Sequence, residues 1–512
     1  MKKNEEILKK KRKDSGKSEK EVDLSLLSPE QQEFLKREEK IDRINERMNR
    51  PVIGITYICA FLFVGLISYI LHFMIVEKDQ VIANAANTRL DRYAANVIRG
   101  DIMTSDGKRI ATNQNDSRYY PYGKLFAHVG GYSEYSKAGI ELVGNYYLLE
   151  SHANPLERMV HTLRDEKNMG DTVVSTLNYE LQQAAYDAMN GADGAVVVME
   201  PDTGKILAMV SKPDFDPNDI DAVWEEANTN PESSMLLNRA SQGLYPPGST
   251  FKLLTTLSFM RQKPFAFMNY SYDCDREEQI FNGVSVHCFG RKTHGEEDLS
   301  LALANSCNQA YADIGTKLNV RKWRDTMEEF LFNKSLPYTD ASAVSRFQLD
   351  GDSDKGYIPQ TAFGQGDTLI SPLHNAMITA TIANGGLMMK PYLIDSVENY
   401  KGTRIRKFSP SSYDTLMTSK EVETLTSYMR RVVTEGTAAP YFSGAEYEAA
   451  GKTGTAEYDN GAHDYSWFVG FASLEQPKLV VSVIVEQSDV NGVKASAVAR
   501  RIFDAYYASS GF

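Results

Sequence analysis

One uncharged apolar stretch constrains this chain more than any other feature. Residues 52–76, VIGITYICAFLFVGLISYILHFMIV, contain no Asp, Glu, Lys or Arg over 25 positions. About 20 apolar residues suffice for a helix to span a bilayer, so the stretch predicts a transmembrane helix. Because some fifty residues precede it and no small-residue cleavage site follows it, we expect a retained anchor rather than a removable signal peptide.

The charges on either side of this stretch indicate its orientation. The positions before it carry Arg43, Arg47 and Arg50, whereas Lys78 and Arg89 are the first basic residues after it. Lys and Arg favour the cytoplasmic side of a membrane. We therefore expect a single-pass protein of the cell membrane, with a cytoplasmic N-terminus and everything after the helix outside the cell.

The charge balance excludes one class of partner for the outer part. The first 51 residues hold 15 Lys and Arg against 12 Asp and Glu, and the remaining chain holds 41 against 56. Nucleic-acid binding depends on a basic surface that neutralises phosphates. The net negative outer part therefore predicts no nucleic-acid partner.

The chain divides by composition into a tail, the anchor and two outer parts. Residues 1–27 are charged and poor in apolar groups, which is typical of disorder, and SPEQQEFLKREEKIDRINERMNR at 28–50 begins with a helix-start signal. After the anchor, 77–98 has a helical pattern, and RGDIMTSDGKRIAT at 99–112 predicts extended chain around an Asp-Gly turn. The predicted domains are a cytoplasmic tail at 1–51, the transmembrane helix at 52–76, a small extracellular pedestal at 77–169 and a catalytic domain at 170–512.

Strand patterns occur at both ends of the catalytic domain. A helix is predicted at 176–191, followed by a hairpin at 195–211 around a Pro-Asp-Thr-Gly turn. Three more strands are predicted near the C-terminus, at 449–458, 465–473 and 478–487. A closing helix at about 492–507 ends the pattern. Strands from remote segments with helices between them predict one sheet covered by helices, an α/β (α+β) fold.

A serine behind two prolines is the first candidate for chemistry. In YPPGSTFKLL, residues 245–254, Ser249 is followed three residues later by Lys252, on the same face of the predicted helix. Ser249 stands at the helix start, where a hydroxyl can face free N–H groups. A serine hydroxyl is a poor nucleophile until a base takes its proton. Lys252 is the candidate base, provided that burial among apolar neighbours lowers its pKa towards neutrality.

Two further motifs give this pair a context. A second S-x-x-K, at 105–108, falls on an Asp-Gly turn where no helix aligns the two groups, so this motif alone is weak. The chain also holds one S-x-N triplet, SCN at 306–308, and one K-[S/T]-G triplet, KTG at 452–454. In this order, S-x-x-K, S-x-N and K-T-G form the motif set of penicillin-recognising serine acyltransferases.

Each motif supplies a group that acyl transfer needs. Ser306 can relay a proton between Lys252 and a leaving amine, because a hydroxyl both donates and accepts, and Asn308 offers an amide to hold the lysine and the substrate backbone. The candidates for binding a terminal carboxylate or the substrate strand are Lys452, Thr453, Gly454 and Thr455. The backbone N–H groups of Ser249 and Thr455 are the candidates for stabilising an oxyanion.

The four cysteines predict no metal site. Cys59 lies in the predicted anchor, and Cys274 and Cys288 can form a disulfide in an oxidising exterior, a pairing that the sequence leaves open. The fourth cysteine is Cys307. Since neither paired CxxC motifs nor a suitably spaced His pair accompanies them, the sequence predicts no zinc site.

The motifs and their surroundings resemble one family, the class B penicillin-binding proteins, which are single-pass peptidoglycan transpeptidases of bacteria. Similar blocks are NRASQGLYPPGSTFK (238–252), GAVVVMEPDTGKILAMVSKPDFDPN (194–218), HGEEDLSLALANSCNQAY (294–311), FGQGDTLISPLHNAMITATIANGG (363–386) and GKTGTAE (451–457). The stretch at 99–112 resembles the family's pedestal. The resemblance covers the chain from about residue 50 to the C-terminus.

The resemblance implies a transpeptidase fold, with a five-stranded antiparallel sheet flanked by helices. It implies that Ser249 attacks the D-Ala-D-Ala bond of a stem peptide, that D-Ala leaves, and that an amine on a neighbouring stem accepts the acyl group. The partners that it implies are peptidoglycan stem peptides, β-lactams, the membrane and a membrane-embedded glycosyltransferase. It implies no metal, nucleotide or other cofactor.

Other functions stay open. A D,D-carboxypeptidase shares the acylation chemistry, although the anchor and pedestal favour crosslinking. A class A enzyme would need a glycosyltransferase domain between the membrane and the transpeptidase domain, and about ninety residues cannot hold one. A β-lactamase would need a base that deacylates the enzyme, and Glu457 is a poor candidate for it. A non-catalytic scaffold would be expected to carry a damaged motif, whereas all three motifs are intact here. A Ser-His-Asp hydrolase lacks its G-x-S-x-G motif here; its candidate bases are His287, His294, His374 and His463.

Overall fold

The structure, a computed structural model, describes most of the chain in two compact units, 1–82 and 83–512. The described residues are 28–77, 97–115, 117–154, 159–161, 163–164, 166–458 and 463–510. The disorder expected at 1–27 lies outside these residues. Most of the helix expected at 77–98 also lies outside them; residue 77 ends a π-helical turn, and at 97–98 the expectation was wrong, because these two residues form a strand.

One long helix, α1, makes up what is described of the first unit. It runs from Pro29 to His72 and continues into a π-helical turn, Phe73–Glu77. Proline suits the first position of a helix, because its missing N–H needs no partner there. The part from Pro51 to Ile75 is long and apolar enough to cross a membrane. The helix predicted at 28–50 is therefore confirmed and is continuous with the apolar one.

The second unit is built from helices and strands that alternate along the chain. Its helices are α2 Ala127–Gly130, α3 Gly139–Val143, α4 Asn145–Leu149, α5 Tyr179–Ala188, α6 Ile220–Thr229, α7 Lys252–Gln262, α8 Pro264–Met268, α9 Leu299–Ala304, α10 Asn308–Lys317, α11 Val320–Glu329, α12 Tyr357–Ala362, α13 Pro372–Ala383, α14 Ser419–Thr434, α15 Ala439–Phe442, α16 Ser488–Asn491 and α17 Ala495–Ser510. Its strands are β1 Val97–Ile98, β2 Ile102–Met103, β3 Arg109–Gln114, β4 Ser117–Tyr119, β5 Asn168–Met169, β6 Thr172–Ser175, β7 Gly194–Met199, β8 Ile206–Lys212, β9 Ser271–Cys274, β10 Glu278–Phe281, β11 Val284–His287, β12 Gly295–Asp298, β13 Leu387–Met389, β14 Ile394–Glu398, β15 Arg404–Lys407, β16 Ser412–Thr415, β17 Ala449–Tyr458, β18 His463–Ala472 and β19 Leu479–Val485.

A five-stranded antiparallel sheet forms the centre of the second unit. Its strand order is β17-β18-β19-β7-β8, so strands from both ends of the predicted catalytic domain meet in one sheet. Every residue of β7 and β19 is buried, as their almost continuous apolar sequences predict. Helix α13 packs on β7, β18 and β19, while α5 and α17 pack on each other and on the sheet. The predicted fold class is confirmed.

A second sheet joins the N-terminal strands to strands from far along the chain. Its order is β15-β14-β6-β2-β3-β4, with β2 and β6 parallel and the other pairs antiparallel. Strands β2 and β3 pair around the Asp-Gly turn, which confirms the extended chain predicted at 99–112. Strands β14 and β15 come from the predicted catalytic domain. The domain boundary at 169/170 stays a prediction, and this sheet draws strands from both sides of it.

A buried carboxylate ties the N-terminal strands together. Glu141, on α3, is wholly buried, with Oε2 2.6 Å from Arg99 Nε and Oε1 2.6 Å from Arg118 Nε. Burial alone would raise the pKa of Glu141, but the charges of Arg118 and Arg99 outweigh it and hold the pKa below its ordinary value. The carboxylate is therefore charged, and each arginine depends on it for its counterion.

Replacing this carboxylate tests the packing of the N-terminal part. Glu141→Gln leaves Arg99 and Arg118 buried without a counterion, so we expect the free energy of unfolding to fall by about 3–5 kcal/mol, measured from urea midpoints. Glu278→Gln is the control, because Glu278 pairs with Arg291 at 3.0 Å on the surface, where a pair contributes about 0–1 kcal/mol. Equal losses in the two variants would contradict the buried triad.

Candidate active site

The turn that carries Ser249 is held by backbone hydrogen bonds from a distant loop. Tyr245 N donates to Ile370 O at 3.0 Å, and Ile370 N donates back to Tyr245 O at 2.8 Å. Gly248 N donates to Gly364 O at 2.9 Å. The two prolines between these anchor points have few accessible backbone conformations, so the position of Ser249 is fixed before any substrate arrives.

The same turn packs tightly against the edge strand β17. Gly248 has φ +52°, and a Cβ built there would lie 2.6 Å from Thr455 O. A Cβ at Gly454 would lie 2.9 Å from Trp467 Cβ and 3.2 Å from Pro247 O. Glycine is therefore required at both positions by the approach of turn and strand. For Gly454, this contact adds to the predicted approach of the strand to a substrate, which stays a prediction.

Ser249 lies inside a 3₁₀ turn rather than at the cap of a helix. The turn spans Gly248–Phe251, and α7 begins at Lys252. Among the residues that the structure describes, the Ser249 hydroxyl caps no helix N–H group. Its side chain lines the cleft instead. The expectation of a capping position was wrong, because Ser249 lies within the 3₁₀ turn and the α-helix starts only three residues later, at Lys252.

Lys252 turns its amine towards the second motif. Its wholly buried Nζ donates to Ser306 O at 2.7 Å, to Asn308 Oδ1 at 2.8 Å and to Ser306 Oγ at 3.2 Å. Within the described part of the chain, no hydrogen bond joins it to Ser249. Catalytic hydrogen bonds are often long in a free enzyme and tighten in the substrate complex. The amine belongs to a residue one helical turn from Ser249, and it is already buried, as the predicted base must be for its pKa to fall.

Ser306 stands between two lysines. Lys452 Nζ donates to Ser306 Oγ at 2.9 Å and to Thr453 O at 2.9 Å. The backbone of Ser306 has φ +59°, a left-handed conformation that costs a residue with a side chain about 1–3 kcal/mol. Asn308 Nδ2 donates to His287 O at 3.0 Å and so fixes the amide that faces Lys252. The structure thus brings the three predicted motifs together around one hydroxyl.

Burial lowers the pKa of both lysines. It lowers the pKa of Lys252 to about 8, against the raising effect of nearby acidic groups. The groups that face Lys252 are Lys452, Tyr311, Cys288, Cys307 and Glu297. For Lys452, burial and then the charge of Lys252 hold the pKa well below its ordinary value. A neutral amine at position 252 is therefore accessible near physiological pH.

Thr455 turns its backbone towards the serine turn. Strand β17 lies at the edge of the sheet, where it pairs with β18, and Thr455 O lies against Gly248. The N–H and C=O groups of one residue in an antiparallel strand point to the same side. We therefore expect the Thr455 N–H to point away from β18 and towards the turn of Ser249, as the oxyanion role predicted for it requires.

The cleft in front of these groups has a volume of about 520 Å³. The predicted residues that line it are Ser249, Ser306, Asn308, Thr453, Gly454 and Thr455. Residues that the sequence did not predict also line it: Thr437, Trp467, Gln365, Phe289 and Tyr441. Thr437 hydrogen-bonds Thr453 through their hydroxyls at 2.5 Å. It lies in an EGTAA segment that carries no recognisable motif, so no sequence signal identified it.

The histidines do not form a hydrolase triad with Ser249. His374 is wholly buried, with Nε2 2.6 Å from Phe330 O, and burial lowers its pKa to about 4. His287 and His294 line the cleft, but no hydrogen bond joins a histidine to Ser249 in the described part of the chain. Cys274 and Cys288 are free thiols, with their Sγ atoms 3.9 Å apart, so the structure contains no disulfide between them.

Known families account for most of the chain. The family model of the penicillin binding protein transpeptidase domain matches residues 194–506, more than half of the sequence. The chain belongs to the penicillin-binding protein transpeptidases. A second model, the penicillin binding protein A dimerisation domain, matches residues 99–173 of this penicillin-binding protein.

Relatives of this penicillin-binding protein confirm the predicted family and fold. It is 31% identical over 492 residues to "Peptidoglycan D,D-transpeptidase PbpA" of Mycolicibacterium smegmatis, covering 88% of this chain and 98% of the relative. It matches penicillin-binding protein A of M. tuberculosis, solved as an imipenem acyl-enzyme complex, with a TM-score of 0.71 and 28% identity over 81% of this chain and 99% of that one. A D,D-transpeptidase domain from Eggerthella lenta matches with a TM-score of 0.71 and 31% identity, over 81% of this chain and 99% of that one.

The lowered pKa of Lys252 predicts the pH dependence of acylation. Lys252, the predicted base, accepts a proton only when its amine is neutral. The rate of acylation by penicillin should therefore rise as pH increases through about 8, measured from the amount of labelled protein at fixed times between pH 6 and 10. Lys252→Arg should lose on the order of 10²–10⁴-fold in rate, because a guanidinium stays charged. A rise of the acylation rate centred near the ordinary lysine pKa of about 10.4 would show that burial does not lower the pKa of this amine.

Gly248 should be intolerant of a side chain. Gly248→Ala places a methyl group 2.6 Å from Thr455 O, which displaces the turn or the strand. Because a shift of about 1 Å can cost 10²-fold in rate, we expect penicillin acylation to slow by at least tenfold. Gly402→Ala is the matched control, because Gly402 also has a positive φ, +79°, but a Cβ built there would have nothing within 4 Å. Equal rates in the two variants would argue against the contact.

Proposed function

We propose that this penicillin-binding protein is a peptidoglycan D,D-transpeptidase in which Ser249 forms the acyl-enzyme. The observation that carries the assignment of the site is the position of Ser306 Oγ, which accepts hydrogen bonds from the buried amines of both Lys252 and Lys452. Ser249 and Ser306 line the same cleft. The relative from M. smegmatis is named a peptidoglycan D,D-transpeptidase, which supports the same reaction here.

Acylation begins with the attack of Ser249 Oγ on the carbonyl carbon of the penultimate D-Ala. The hydroxyl proton passes to neutral Lys252, and the N–H groups of Ser249 and Thr455 stabilise the oxyanion. As the C–N bond breaks, the proton travels from Lys252 through the Ser306 hydroxyl to the leaving amine. D-Ala departs and Ser249 carries an ester. A hydroxyl suits this relay because it donates one proton while accepting another.

Transfer runs through the same groups in reverse. The amine of a neighbouring stem peptide attacks the ester carbonyl, its proton passes through Ser306 to Lys252, and the new amide forms as the ester C–O bond breaks. Lys252 then returns the proton to Ser249 Oγ. A β-lactam enters at the first step, but its amine stays tethered after the ring opens. The relative from M. tuberculosis has been solved as penicillin G and imipenem acyl-enzyme complexes, which supports a shared acylation step.

The terminal carboxylate of the donor peptide binds along β17. Thr453 and Thr455 line the cleft, and Thr437 hydrogen-bonds Thr453 from the opposite loop. Lys452 lies behind them, wholly buried, so it acts through Ser306 and through the electrostatic field rather than by direct contact in this structure. Hydroxyl donors suit a carboxylate, and the negative charge of a bound carboxylate would favour the protonated form of Lys452 behind them.

The location of the reaction follows from the apolar helix. The part of α1 from Pro51 to Ile75 fits a single membrane anchor, and the arginines before it favour a cytoplasmic N-terminus. The cleft then lies outside the cell, where peptidoglycan is built. A membrane glycosyltransferase that polymerises the glycan strands is the partner that we propose for this anchored enzyme.

Labelling with a fluorescent penicillin tests the nucleophile. We expect Ser249→Ala to abolish covalent labelling and Lys252→Ala to slow it by on the order of 10²-fold or more. Ser105→Ala is the matched control, because Ser105 begins the other S-x-x-K motif and its hydroxyl donates to Leu177 O, away from the cleft. Labelling that persisted in Ser249→Ala, or that disappeared in Ser105→Ala, would assign the nucleophile elsewhere.

Product analysis then separates crosslinking from trimming. With a pentapeptide donor and an amine acceptor, the wild-type chain should yield crosslinked dimers together with free D-Ala. Ser249→Ala should yield neither product. Release of D-Ala without dimers, across a range of acceptor concentrations, would identify a D,D-carboxypeptidase with the same acylation chemistry.

A further inference from the structure

Three of the four cysteines and one histidine meet in a single cluster beside the active site. The cluster consists of Cys274, Cys288, His294 and Cys307, and one ligand atom from each lies within 4.8 Å of all the others. The three cysteines are buried. They come from the end of β9, the start of the 3₁₀ turn Phe289–Arg291 and the start of α10, while His294 precedes β12. The sequence offered no spacing pattern because the four residues belong to separate segments.

The sulfur positions fit a metal better than a disulfide. Cys274 Sγ and Cys288 Sγ are 3.9 Å apart, and Cys288 Sγ and Cys307 Sγ are 3.7 Å apart. A disulfide needs about 2.05 Å between its sulfurs. Two thiolates bound at about 2.3 Å on a tetrahedral zinc ion lie roughly 3.8 Å apart. Three thiols around one point also cannot all be satisfied by a single disulfide.

The donor set selects the metal. Three cysteines and one histidine form one of the common closed sets of structural zinc sites. Thiolate-rich tetrahedral sites select zinc or iron over magnesium, calcium and manganese. The longest separation in the cluster exceeds that of a closed tetrahedron by about 1 Å, a distance that side-chain rotation can close. No protein group needs to leave the cluster for a metal to enter.

Glu297 supplies the partner that a ligating histidine requires. Its carboxylate is buried, with Oε1 accepting from Asn305 Nδ2 at 2.7 Å and Oε2 buried without a hydrogen-bond partner, 3.9 Å from His294 Nδ1. His294 Nδ1 is likewise buried without a hydrogen-bond partner in the described part of the chain. A metal-bound imidazole commonly donates its other N–H to a carboxylate. The unsatisfied oxygen is in reach for that bond.

We propose that Cys274, Cys288, Cys307 and His294 bind one structural zinc ion, which holds the second catalytic motif in place. Cys307 is the middle residue of Ser306-Cys307-Asn308, so the ion is anchored between the hydroxyl and the amide that contact Lys252. The left-handed backbone of Ser306 needs such support, because it is strained. Asn308 also donates to the carbonyl of His287, the residue before Cys288. The metal site itself is independent of the proposed function, whereas its effect on acylation rests on that function.

Metal analysis of the full-length chain in detergent tests the site. The wild-type protein, produced with zinc in the medium, should hold one zinc ion per chain by mass spectrometry of its metals, and Cys274→Ser should hold less than a tenth of that. Cys59→Ser is the matched control, because Cys59 lies on α1, apart from the cluster, and should keep its zinc. Zinc that is equal in all three proteins, iron in place of zinc, or a wild-type mass two hydrogens short with no metal would overturn the proposal.

Cobalt provides a readout that does not depend on a variant that folds. Exchange of the wild-type protein into Co²⁺ should produce the visible absorption of a tetrahedral, thiolate-bound ion, and zinc should reverse it. A spectrum of octahedral, oxygen-bound cobalt would contradict the cluster as the binding site. Circular dichroism of Cys274→Ser shows whether its loss of metal comes with a loss of fold.

The coupling to catalysis is measured by penicillin labelling. Removing the metal with a strong chelator should slow labelling of the wild-type protein by about 10–100-fold, and added zinc should restore it. Cys274→Ser should label slowly with or without the chelator. Unchanged labelling of a metal-free wild-type protein would overturn the coupling. If zinc binds but Ser249→Ala labels normally, the metal site stands and the proposed nucleophile fails.

Discussion

The site depends on two amines kept out of water around one hydroxyl. Lys252 and Lys452 are wholly buried, and removal from water disfavours the charged form of each. Their hydrogen bonds to Ser306 Oγ, together with those to the Ser306 and Thr453 carbonyls, replace part of the lost hydration. Two cations this close also repel each other, so the pair holds its protons weakly. An amine at position 252 that loses its proton at a pH of about 8 is the direct result of this geometry.

The fold supplies that geometry from its most rigid parts. The strands behind the cleft are buried along their whole length, and the serine turn is pinned on one side by Gly364 and on the other by β17. Reactive groups that are mounted on packed strands and helix starts keep their spacing without help from the substrate. The fit is close enough that neither Gly248 nor Gly454 has room for a methyl group.

The sequence revealed the groups whose roles are encoded locally. The proline turn, the three motifs, the apolar helix and the five strands each depend on short patterns, and family comparison and structure agree with the predicted class. Contacts between remote segments carried no such pattern. Thr437 opposite Thr453, and the cysteine cluster built from four segments, became visible only in three dimensions. The capping role expected of Ser249 failed because a turn's φ and ψ angles depend on what packs around it.

The six-stranded sheet has a consequence for how such proteins can be divided. Strand β14, which lies beyond Ser249 in the chain and carries β15 on its other side, hydrogen-bonds to β6, which in turn pairs with β2 near the start of the unit. A fragment that starts at residue 170 would contain β6 without its neighbour β2. A fragment that stops at residue 170 would contain β2 without its neighbour β6, so β2 would become an unpaired edge strand. If the N-terminal module were exchanged between relatives by recombination near residue 170, the hairpin at 394–407 would therefore have to be exchanged with it. The two parts therefore share one sheet and depend on each other for its edges.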